Sequence, residues 1–67
     1  MEGTNYMIYK IGDFFICNLT DKRIRAFTQI FQSVGRTKHQ AVKKMNRMLR
    51  PLGFKAEQEV PYAAYYL

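Results

Sequence analysis

The chain reads as a small single α+β domain in the order ββααβ: a β-hairpin, two helices and a C-terminal strand, with the helices packed on one face of an antiparallel sheet. Three observations predict this. Two runs rich in aromatic and β-branched residues, YMIYKI and FFICNL, flank Gly12-Asp13. Apolar residues then recur at helical spacing from Ile24 to Leu49. After Gly53, FKAEQEV returns to a two-residue alternation.

In chain order, residues 1–5 read as a loose end and residues 6–19 as the hairpin. Glycine supplies the positive φ that a two-residue Gly-Asp turn requires. That turn sets Ile11 opposite Phe14, Tyr9 opposite Ile16 and Met7 opposite Asn18 on one face. Lys10/Phe15, Ile8/Cys17 and Tyr6/Leu19 share the other. Neither face is polar, so the helices cover one and the second needs the C-terminus, a second copy or a partner. We expect Ile8, Phe15, Cys17 and Leu19 to face inward, leaving Met7, Tyr9, Phe14 and Ile16 as a protein-interaction face.

Residues 21–34 are expected to form the first helix, because Ile24, Phe27, Ile30, Phe31 and Val34 fall within about a third of a helical wheel. Thr20 or Asp21 caps it and Gly35 closes it. Lys22 and Arg23 oppose the helix dipole, which an adjacent anion would reverse. Residues 38–50 form a second, basic helix. Thr37 stands at its N-cap with Gln40 at capping-box spacing, and Pro51 and Gly53 stop it. Ala41, Val42, Met45, Met48, Leu49 and Leu52 fall on one side; His39, Lys43, Lys44, Arg47 and Arg50 fall on the other.

A strand over 54–60 puts Phe54, Ala56 and Val60 on one side and Lys55, Glu57 and Glu59 on the other. The tail, 61–67, carries Tyr62, Tyr65 and Tyr66 and is expected to dock on its own sheet or on another molecule. The predicted core is Phe15, Leu19, Ile24, Phe27, Phe31, Val34, Val42, Met45, Leu49 and Phe54.

At 67 residues the domain is near the size at which a lone core is marginal, so self-association as a homodimer is an expected support. A single cysteine excludes an intramolecular disulfide. No apolar run approaches the roughly 20 residues of a membrane span, and the N-terminus lacks a signal-peptide layout, so a soluble, cytoplasmic protein is expected. The net charge of +6 is local: residues 21–53 hold nine Lys or Arg against Asp21, a net +8, while each flank carries −1. A field of one sign attracts polyanions; the competing reading is that these cations merely solvate two helices.

Catalysis is not expected. His39 and Cys17, the only residues of their types, lie on different elements with no third group to orient them. There is no metal-ligand spacing, no glycine-rich phosphate loop and no paired carboxylates, so neither metal nor cofactor is expected. Cys17 reads as a small apolar strand residue. Binding remains. Arg36, Lys38, His39, Lys43, Lys44, Arg47 and Arg50 have the layout for tracking the phosphate backbone of DNA or RNA, with Gln40, Asn46 and His39 as neutral groups near bases or sugars. The alternative is a small protein-binding inhibitor or adaptor of the kind phages and other mobile elements encode. It would use Met7, Tyr9, Phe14 and Ile16 with Tyr62, Tyr65 and Tyr66.

From Leu19 to Leu49 the spacing of strand, helix, Gly35, capping Thr37 and second helix resembles the ribbon-helix-helix DNA-binding proteins. That resemblance implies a strand facing the major groove, where this chain would place Phe14, Ile16 and Asn18, of which only Asn18 could read a base. A helix-turn-helix arrangement, with residues 38–50 as recognition helix, fits the same pair of helices.

Overall fold

The computed structural model describes residues 2–27 and 32–61, the side chains of 25–27 excepted. Its elements are β1 (Glu2–Ile11), β2 (Phe14–Leu19), α1 (Lys22–Phe27), β3 (Gln32–Gly35), α2 (Lys38–Leu49), a 3-10 turn (Arg50–Leu52) and β4 (Phe54–Glu59). The strands form one sheet in the order β3-β2-β1-β4, with α2 packed against it. The predicted α+β class holds, but the sheet is mixed. β1–β2 and β2–β3 are antiparallel, whereas β1–β4 is parallel. β3 therefore runs with β1, and a chain that leaves β3 through a helix returns at the far edge in the same direction.

The hairpin has the expected register through all six pairs, from Tyr6↔Leu19 to Ile11↔Phe14. Gly12 turns it with φ 59°. Residues 2–5 are not a loose end. They extend β1 along β4, with Glu2↔Phe54, Gly3↔Lys55 and Thr4↔Ala56 paired and the Glu2 N–H donating to the Gly53 carbonyl at 3.0 Å. The free edge of the hairpin leaves backbone groups unpaired, and β4 supplies their partners. A register shift between Thr4 and Asn5 brings Glu59 opposite Tyr6, so Glu59 lies on the α2 side rather than with Lys55 on the far side.

The expected helix over 21–34 is corrected. α1 ends at Phe27, and Gln32–Gly35 pairs with β2 from Asn18↔Gln32 to Phe15↔Gly35. Pairing along the open edge of β2 outweighs the helical spacing at this end. Ser33 and Gly35 face α2, while Val34 points away and is 43% exposed instead of joining the core. Ile30, Phe31 and the Phe27 side chain lie outside the described residues. With β3 between α1 and α2, the helix-to-helix spacing of ribbon-helix-helix proteins is not realised.

The core is Cys17, Leu19, Ile24, Ala41, Met45, Leu49 and Ala56, with Tyr6, Ile8, Phe15, Val42, Met48 and Phe54 half-buried around it. The inward hairpin face is the predicted one. Met7 is a second correction, because it lies on the opposite face yet is fully buried, and Asn18 beside it is 8% exposed. The open part of that face, at Ile11 and Phe14, lies nearer the hairpin turn.

Gly35 allows the close approach of α2: a Cβ there would lie 2.6 Å from the Ala41 nitrogen, a backbone atom that cannot swing aside. Gly35→Ala should destabilise the fold by about 1–3 kcal/mol, read as a lower urea midpoint with an unchanged slope.

Candidate nucleic-acid interface

α2 begins where the sequence places it. Thr37 is extended at φ −132° and ψ 161°, and its hydroxyl oxygen accepts from the Gln40 N–H at 3.1 Å. The Gln40 side chain reaches back one residue further than in the usual capping box, accepting from the Arg36 N–H at 3.0 Å. Ala41, Met45 and Leu49 fill the inner face, and Leu52, past the end of the helix, is 37% exposed.

Each flank of α2 is tied to a different strand. The Ser33 hydroxyl of β3 donates to the Ala41 carbonyl at 2.6 Å, and the Ala56 N–H of β4 donates to Asn46 Oδ1 at 2.7 Å. These bonds fix the rotation of the helix about its axis. His39, Lys43, Lys44, Arg47 and Arg50 are all exposed on the outward arc of about 140°.

Troughs run along both sides of this arc. One, of about 350 Å³, is lined by His39, Val42, Lys43, Asn46, Arg47 and Arg50. The other, of about 340 Å³, lies towards β3 and is lined by Gln32, Ser33, Val34, Lys44, Arg47 and Met48. Gln40, Lys43, Lys44 and Arg47 border a third hollow, so Arg47 adjoins all three and stands on the crest. Sequence reasoning missed the contribution of Gln32, Ser33 and Val34, because it had placed them in a helix.

The cations divide by partner. Among the described residues, Arg23 binds Asp21 at 2.9 Å and Glu2 at 3.0 Å, Lys38 lies 3.9 Å from Glu59, and Lys55 lies 3.6 Å from Glu57. The predicted anion seat at the start of α1 is therefore filled by the chain's own carboxylates. Arg36 sits apart from the crest, its guanidinium 5.6 Å from the centre of the Phe14 ring. No described carboxylate pairs with Lys43, Lys44, Arg47 or Arg50. Of the seven basic residues read from sequence, α2 thus gathers His39, Lys43, Lys44, Arg47 and Arg50, and leaves Arg36 and Lys38 at its approach. Two neutral groups are corrected: the side-chain acceptors of Gln40 and Asn46 are committed to backbone N–H groups.

Of the expected protein-interaction residues, Phe14 is 43% exposed, Tyr9 and Ile16 are half-buried and Met7 is closed off; Tyr62, Tyr65 and Tyr66 lie outside the described residues. Cys17 is fully buried. Burial pushes its thiol up to about 11, with a Ser33 hydrogen bond opposing and Glu59 adding to the shift, so it is protonated near neutrality. Among the described residues no group of three or more His, Cys, Asp or Glu could hold a metal ion, and no helix is long and apolar enough to cross a membrane. Comparison of the chain with protein-family models, curated proteins and solved structures finds no match.

Asp21 accepts from the Arg23 N–H at 2.9 Å and so caps α1. The Arg23 side chain holds its carboxyl at about 2, below the ordinary 3.8. A depressed value means that the ionised form stabilises the fold. The contribution is complete above the unfolded value and is lost as pH falls through about 2. Asp21→Ala should cost about 1 kcal/mol at pH 7. The gap in urea midpoint between the two proteins should narrow as pH drops from 4 towards 2.

Proposed function

We propose that the protein is a non-catalytic nucleic-acid-binding module that seats phosphates along the outer face of α2. The observation that carries this reading is a run of exposed cations, Lys43, Lys44, Arg47 and Arg50, without a described acidic partner, on a helix whose rotation is pinned by Ser33 and Asn46. The seven residue steps from Lys43 to Arg50 span about 10 Å of helix axis. Over that length one strand of B-form DNA presents about three phosphates, so charge spacing and ridge length agree. His39 stands at one end of the ridge, and Arg36 extends the positive field towards the hairpin.

A second reading, a small protein-binding inhibitor or adaptor, is favoured by a separate observation. On the face opposite α2, Ile11 (61% exposed), Phe14 and Val34 (43% each) continue through half-buried Tyr9 and Ile16 into one apolar stripe across β1, β2 and β3. Phosphate binding does not require this stripe.

For the leading reading, binding to mixed-sequence nucleic acid should fall steeply with salt. Lys43→Ala/Arg47→Ala should weaken it alike on all sequences and flatten the slope of log K against log salt by about 2, with an unchanged circular dichroism spectrum. Absence of binding at low salt removes the reading. For the second, a tagged protein should retain a protein partner after nuclease treatment and lose it with Phe14→Asp; loss on nuclease treatment alone returns the partner to the first reading.

A further inference from the structure

We infer that the nucleic acid taken by α2 is double-stranded DNA, entered through its major groove. This rests on the phosphate-ridge reading above and adds the form of the polymer. The argument begins with relief. The trough of about 350 Å³ is bordered by residues of α2 with Arg50 and that of about 340 Å³ by α2 and β3, on either side of Arg47, so the cationic surface is a ridge rather than a channel. A ridge one helix wide, about 10–12 Å with its side chains, matches the roughly 12 Å opening of the B-form major groove. The two sugar-phosphate walls of that groove then fall into the two troughs.

The charges are set out for two walls. Lys44 and Arg50 diverge by about 120° around the helix, Lys44 on the rim of one trough and Arg50 on the rim of the other. Arg47 stands between them and borders both troughs, within reach of either wall. A single strand would offer phosphates to one rim only. It would also want a row of aromatic platforms, and among the described residues lining the troughs there is no Phe, Tyr or Trp, His39 being the one ring.

Double-stranded RNA fails because its major groove is too deep and narrow for a helix. Because Gln40 and Asn46 have spent their acceptors on the backbone, the bidentate amide pair that reads adenine is closed to them. Contact with the duplex is therefore weakly selective for sequence.

The test is a fluorescence-anisotropy titration of the full chain at one low salt concentration against a single mixed sequence, prepared as DNA duplex, RNA duplex and separate DNA strands. The DNA duplex should bind about tenfold or more tightly than either alternative. Methyl green, which occupies the major groove, should displace the protein, and distamycin, which occupies the minor groove, should not. Equal or tighter binding to the RNA duplex or to a single strand overturns the inference while leaving the phosphate ridge intact, as does displacement by distamycin alone. No binding to any of the three overturns the ridge reading itself and this inference with it.

Discussion

The close approach of α2 to the sheet at Gly35 is the constraint on which the other features depend. A side chain at that position would meet the backbone of the helix, and its absence lets Ala41 settle over β3. Once there, the Ala41 carbonyl is within reach of the Ser33 hydroxyl, and on the other flank Asn46 meets the Ala56 N–H of β4. Buried polar groups left unpaired cost more than a paired group gains, so these two bonds act mainly as a penalty on any other rotation of the helix. The rotation in turn decides which side chains sit in the core and which face water.

The outward charge is a matter of allocation as much as of number. The acids that form ion pairs among the described residues do so with Arg23, Lys38 and Lys55, all away from the crest of α2. Each of these exposed pairs contributes little to stability. Their larger effect is on the field, since they engage cations off the crest and leave the crest uncompensated. Cations three and four residues apart on one helix face repel each other, a modest cost that an incoming polyanion reverses.

The sheet is protected unequally. β4, at one edge, carries exposed Lys55 and Glu57, the kind of charge that discourages pairing with another chain; β3, at the other edge, is only four residues long. Across the face away from α2, Met7 and Asn18 are shut from water while Ile11, Phe14 and Val34 remain open near the hairpin turn. Arg36 leans over Phe14 at the border of this stripe, so the apolar surface and the basic helix adjoin at the start of α2.

What the sequence by itself determined are the features set by neighbours in the chain. The hairpin register follows from Gly12-Asp13, the start of α2 from Thr37 and Gln40, and the segregation of Lys43, Lys44, Arg47 and Arg50 from Met45 and Leu49 follows from the turn of a helix. Tertiary structure alone decided the features that need a partner far away. Val34 continues the helical spacing of Ile24, Phe27, Ile30 and Phe31 in the sequence, and only the open edge of β2 makes residues 32–35 a strand. Residues 2–5 have no strong signal of their own, and only β4, some fifty positions later, extends them into β1. Gln40 and Asn46 look free in the sequence and are spent in the fold, because a backbone N–H seeking an acceptor is invisible until the chain has closed around it.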